Sequence, residues 1–92
     1  MLTVTKLSKE EVYTVICNHF QTKGYVVAGV ESRTKLFKGL YELRIMLTNG
    51  NYFILTKDEA LTIVCEYYQS KGYKVNGVYI LNNGDLFELI TD

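Results

Sequence analysis

Cys17, His19 and Cys65 are the side chains of this 92-residue chain best suited to nucleophilic or metal chemistry. A Cys-His dyad needs the imidazole within hydrogen-bond reach of the thiol. Residues two apart on a helix point about 200° apart around its axis, so Cys17 and His19 cannot form a dyad within one helix. Pairing of His19 with Cys65 across two helices is the one arrangement left open. One histidine and two isolated cysteines do not make a zinc site. Glu42 and Glu88 lie in similar segments, Tyr41-Glu42-Leu43 and Phe87-Glu88-Leu89, and read as equivalent positions on an outer strand face. Paired carboxylates can do acid/base work, but solvated partners for Lys or Arg on neighbouring strands is the simpler reading. The glycines at 24, 29, 72 and 77 follow helical segments and form no phosphate-cradling loop. The aspartates lack the alternation of a calcium loop. The residues thus predict a non-enzymatic protein with no metal and no cofactor.

The elements that carry these residues are written twice. Leu7 to Val30 and Leu55 to Val78 agree at twelve of twenty-four positions at an offset of 48. Ser8 and Thr56 are N-cap residues with Glu11 and Glu59 three positions on, the spacing of a capping box. Val12, Tyr13, Ile16, Cys17 and Phe20, matched by Ala60, Leu61, Val64, Cys65 and Tyr68, recur at helical spacing and predict one buried face. Glu11, Thr14, Asn18 and Gln21, with Glu59, Thr62, Glu66 and Gln69, form the solvated stripe. Val15, Ile63, His19 and Tyr67 flank the buried face and suit a contact between the two helices. Lys23-Gly24 and Lys71-Gly72 end the helices, glycine supplying the left-handed residue. In a reducing compartment Cys17 and Cys65 behave as small buried hydrophobes. A disulfide between them needs Cα atoms within about 7 Å.

Strands follow each helix, over Tyr25–Val30 and Tyr73–Ile80, with Gly29 and Gly77 marking a matched bulge. Second strands run over Leu40–Leu47 and Leu86–Thr91, where matching Glu42 to Glu88 shrinks the offset to 46. Asn82-Asn83-Gly84 and Asn49-Gly50 are hairpin turn signals, and Val4–Leu7 pairs in the repeat with Tyr52–Leu55. The predicted fold is α+β: a tandem duplication of βαββ units, 1–48 and 49–92, in a single domain. It has six mainly antiparallel strands with two helices packed on one face and a pseudo-twofold between copies. One continuous sheet and two three-stranded sheets both satisfy this pattern.

Charge sets the halves apart. Residues 1–48 carry seven Lys or Arg against four carboxylates, and residues 49–92 three against six. A dipolar chain of zero net charge is not a wholly basic nucleic-acid binder; it suits one basic face or head-to-tail association. The opening MLTVTKLSKEEV lacks the pattern of a secretory signal, and no apolar run approaches the roughly 20 residues of a spanning helix. The expectation is a soluble, cytoplasmic protein that does not engage membranes.

The copies diverge most at Arg33-Thr-Lys-Leu-Phe-Lys38, where the second copy has a short neutral turn. Three readings stay open for this basic hairpin. Leu36 and Phe37 fold back over the sheet edge. Or Phe37 anchors a protein partner while Arg33, Lys35 and Lys38 steer it. Or the cations meet phosphate while Phe37 stacks on a base. Val26 and Ala28 replace Lys74 and Asn76; if Tyr25 and Val27 face the helices, then Val26, Ala28 and Val30 form an apolar patch on the open sheet face, suited to a homodimer contact.

The phrase His19–Val30 and its echo Tyr67–Val78, a helix ending in Lys-Gly-Tyr before a strand, resembles small proteins carried by phages and other mobile elements of Gram-positive bacteria. The helix-strand-strand order and Tyr41-Glu42-Leu43 also look distantly like PepSY domains, which are inhibitory or chaperone-like modules. The first resemblance implies, by analogy, a phage or prophage accessory protein that binds a host or phage protein and inhibits a host enzyme or defence complex. Nucleic-acid binding through the basic first-copy hairpin is the alternative.

Overall fold

The computed structural model describes residues 1–35 and 40–92. The order of elements is β1 (Thr3–Ser8), α1 (Lys9–Thr22), β2 (Val27–Lys35), β3 (Leu40–Leu47), β4 (Tyr52–Thr56), α2 (Lys57–Ser70), β5 (Val75–Leu81) and β6 (Leu86–Thr91), with a 3-10 turn at Asn82–Gly84 between the last two. The fold is α+β, and its six strands form two antiparallel three-stranded sheets, β1-β6-β5 and β2-β3-β4. This resolves the choice between one sheet and two. It also shows that each sheet draws on both sequence copies: β1 pairs with β6, and β4 pairs with β3.

Local chemistry fixes the helix ends. Both capping boxes are closed, with the Glu11 N–H donating to Ser8 Oγ at 3.1 Å and the Glu59 N–H to Thr56 Oγ1 at 3.2 Å. At the other ends Tyr25 N–H reaches back to the Phe20 carbonyl and Tyr73 N–H to that of Tyr68, each at 3.1 Å. Gly24 and Gly72 stand at φ of +93° and +94° in these Schellman turns, a region that costs other residues roughly 1–2 kcal/mol. Tyr25 packs edge-on against Phe20, and Tyr73 against Tyr68, the apolar contact that accompanies this motif.

The helices cover one face of the sheets. Tyr41, Leu43, Ile45 and Leu47 alternate inward from β3, and Phe87, Leu89 and Thr91 from β6. They meet Val12, Val15, Ile16 and Phe20 of α1 and Ala60, Ile63 and Val64 of α2 in one core. Each helix bridges the sheets, α1 leaving β1 to enter β2 and α2 leaving β4 to enter β5. The resulting slab measures 45 × 35 × 18 Å, and its thin dimension fits a layer of helices on a layer of strands.

The registers of the two sheets repeat each other. Leu43 pairs with Ser32 and Leu55, while Phe87 pairs with Ile80 and Leu7; Arg44 pairs with Glu31 and Ile54, while Glu88 pairs with Tyr79 and Lys6. First strands correspond at an offset of 48 and last strands at 44, not 46. The equivalent of Glu88 is therefore Arg44 and not Glu42. A slip of two residues preserves the face a side chain occupies, so Glu42 and Glu88 share the outer side without sharing a position. The extra length lies in the first hairpin, where β2 continues through Ser32, Arg33 and Thr34 to Lys35, past the strand end at Val30 expected from sequence. Both predicted bulges are present, between Val27 and Gly29 and between Val75 and Gly77. They kink β2 and β5, each an edge strand, which blunts edge-to-edge pairing.

Candidate functional site

The side of the sheets away from the helices has nothing over it among the described residues. In the β2-β3-β4 sheet its rows read Gly29-Met46-Tyr52, Glu31-Arg44-Ile54 and Arg33-Glu42-Thr56. In the β1-β6-β5 sheet they read Val4-Ile90-Gly77, Lys6-Glu88-Tyr79 and Ser8-Leu86-Leu81. Large apolar side chains stand open on both: Tyr52 is 54% exposed, Ile54 47%, Val4 54% and Tyr79 52%. Soluble surfaces carry single apolar residues routinely, but contiguous patches of this kind mark interaction sites.

Glycine shapes each patch from below. A Cβ on Gly29 would lie 3.1 Å from Met46 Cε, and one on Gly77 would lie 2.9 Å from the Tyr79 ring. Bare backbone at these bulges lets Met46 and Tyr79 lie flat on the sheet, widening the apolar surface.

The charges at the patch centres differ. Glu88 is half-buried and ion-paired with Lys6 across the strands. Arg44 lays its guanidinium over the Tyr52 ring, 4.8 Å from the centroid. Among the described residues it makes no ion pair, and its buried Nε has no hydrogen-bond acceptor. A guanidinium so placed on an aromatic ring, amid Met46 and Ile54, is pre-oriented to receive a carboxylate.

Of the site residues read from sequence, Arg33 lies on this face, opposite Glu42, and Lys35 pairs in register with Leu40 at the end of β2. Leu36, Phe37 and Lys38 lie outside the described residues. Val26, 63% exposed, stands just before β2, its carbonyl accepting from Thr48 N–H. Ala28 is the exposed extra residue of the bulge. Val30 differs from expectation: the bulge resets the alternation, so Val30 pairs with Ile45 and packs against the core. The proposed Val26-Ala28-Val30 stripe is thus not continuous.

Met46, Tyr52, Ile54 and Arg44 were not singled out from sequence, although a signal was present. Tyr52-Phe-Ile-Leu55 is a run of four apolar residues in a strand whose alternation buries Leu55, half-buries Phe53, and exposes Tyr52 and Ile54.

The helix contact expected from sequence is present. Val15, Asn18, His19, Thr22, Ile63, Glu66 and Tyr67 line a groove where α1 meets α2. His19 packs edge-on against Phe20, and burial, helped by Lys23 and opposed by Glu66, holds its pKa below the ordinary value. Cys65 packs against the core and does not line this groove. Both cysteines are free and half-buried, and burial pushes the Cys17 thiol up, away from the thiolate that nucleophilic chemistry uses. Among the described residues no group of three or more His, Cys, Asp or Glu gathers to hold a metal, and no helix is long and apolar enough to cross a membrane.

Compared with models of protein families, with curated proteins and with solved structures, the chain matches none.

Proposed function

We propose that this chain is a non-enzymatic protein-binding module that docks through the uncovered face of its sheets. The observation that carries the reading is the apolar surface of Met46, Tyr52 and Ile54 around Arg44, a cation without an acidic partner of its own among the described residues. Aromatic residues and Arg inside an apolar surround are the side chains that dominate interface energies. Arg33 and Lys35, both on β2, add cations that steer an acidic partner, and Leu36, Phe37 and Lys38, outside the described residues, complete the proposed contact. Binding of this kind needs a rigid face and no catalytic residue. The resemblance to proteins of phages and mobile elements supplies the setting: a cytoplasmic accessory protein that inhibits a host enzyme or defence complex by occupying its surface.

The test is affinity capture from a host lysate with and without nuclease, comparing the wild type with Ile54→Lys and Phe37→Ala. Capture of one stoichiometric protein that survives nuclease and is lost with Ile54→Lys is the expected result. Capture of nucleic acid, weakening steeply with salt and insensitive to Ile54→Lys, would turn the reading to nucleic-acid binding.

A further inference from the structure

We propose that a second copy of this chain covers the open face, with the β2-β3-β4 sheet of each copy lying on the β1-β6-β5 sheet of the other, so that Arg44 of one meets Glu88 of its partner. The inference rests on the docking-face reading and names the occupant.

Charge fixes the arrangement. Arg44 and Glu88 occupy the same central position of the two sheets, as their cross-strand partners show. A twofold axis can run along the open face, perpendicular to the line between these two positions and through its midpoint. That axis superposes Arg44 on the partner's Glu88 and Glu88 on the partner's Arg44. An axis along the line would instead place Arg on Arg and Glu on Glu, and like charges that are desolvated together repel strongly. One of the two face-to-face dimers is attracted and the other excluded.

The surroundings match. Both sheets bring apolar side chains to the contact, Met46, Tyr52 and Ile54 on one and Val4, Tyr79 and Ile90 on the other. Glu88 is already oriented by Lys6, and a carboxylate retains acceptor sites after one such contact. Arg44 brings its unfilled donors. The slab is 45 Å by 35 Å across its broad side, enough for the about 800 Å² per partner of a stable interface.

Sedimentation equilibrium on the full chain tests this with charge reversal. The wild type is expected to be a dimer. R44E and E88R alone are each expected to dissociate at least about tenfold more readily, because each places like charges together. An equimolar mixture of the two variants restores the dimer, since one contact is then native and the other is native with its charges exchanged. Recovery on mixing also proves that both variants are folded. A wild type monomeric at every concentration, or single variants as dimeric as wild type, overturns the proposal. The docking-face reading fails separately: if Ile54→Lys changes neither the mass nor a protein captured from lysate, the face is not a docking surface. A monomeric wild type whose captured partner is lost with Ile54→Lys rejects the second copy alone.

Discussion

The ring of Tyr41, at the start of β3, lies against the backbone of Gly84 in the turn between β5 and β6, so closely that a Cβ on Gly84 would sit 2.5 Å from its Cε2. The contact joins the two sheets, and Tyr41 continues it edge-on into Phe87 of β6. Gly84 also stands at φ +97°, after Asn82 and Asn83 at +50° and +57°.

Gly84→Ala therefore meets two penalties, a left-handed backbone and a collision with a buried ring. The expected loss is about 2–4 kcal/mol of unfolding free energy, read by urea denaturation. Gly50→Ala, at φ +89° with open space around it, should lose only the conformational part, about 1–2 kcal/mol. Equal losses at the two positions would contradict the packing described for Tyr41.

The hydroxyls of Tyr41 and Tyr13 are buried without a hydrogen-bond partner among the described residues. Burial, and then the neighbouring Tyr13, push the Tyr41 pKa far above its ordinary value. Removing a polar atom that has no partner leaves nothing unsatisfied behind, so Tyr41→Phe is expected to be neutral or to stabilise by up to about 1 kcal/mol. Calorimetry that finds a clear loss of stability would mean that this hydroxyl holds a real bond.

His19 gives the fold a pH dependence. Its folded pKa lies below the unfolded value near 6.5, so the folded chain binds fewer protons there. The stability this provides is present above pH 6.5 and is lost as pH falls through the folded pKa. Wild type should therefore lose more stability than His19→Gln between pH 7.5 and 5. Parallel curves for the two proteins would show that the groove leaves His19 unperturbed.

The α2 cap links a stability change to a titration. The Thr56 backbone N–H donates to the Glu59 carboxylate at 3.0 Å, and this bond first and the Thr56 side chain second hold the Glu59 carboxyl below its usual range, while the Glu59 N–H donates to Thr56 Oγ1. Thr56→Ala is expected to cost about 1 kcal/mol and to move the Glu59 pKa upward in an NMR titration. A cap loss with no movement of Glu59 would separate the two halves of the box.

The helices were legible from sequence because their determinants are local. Ser8 and Glu11, or Lys23 and Gly24, act over a single turn, and the apolar spacing around Val12 and Ile16 names the buried face without reference to any partner. The bulges at Gly29 and Gly77 and the turn at Asn82-Asn83-Gly84 were legible for the same reason. Pairing was not. Nothing in Val4–Leu7 or Tyr52–Leu55 says that each first strand joins the other copy's sheet, since an antiparallel edge accepts either partner and only the path of α1 and α2 across both sheets decides.

The register of the last strands shows the limit most clearly. Tyr-Glu-Leu and Phe-Glu-Leu invite an alignment of Glu42 with Glu88, and strand periodicity of two leaves every face unchanged when the match slips by two. Sequence by itself thus determined which residues face inward on β3 and β6. Only the tertiary structure, through the register that sets Arg44 opposite Ile54 and Glu88 opposite Lys6, decided that Arg44 stands where the other sheet has Glu88, because register is a relation between strands and not a property of either one.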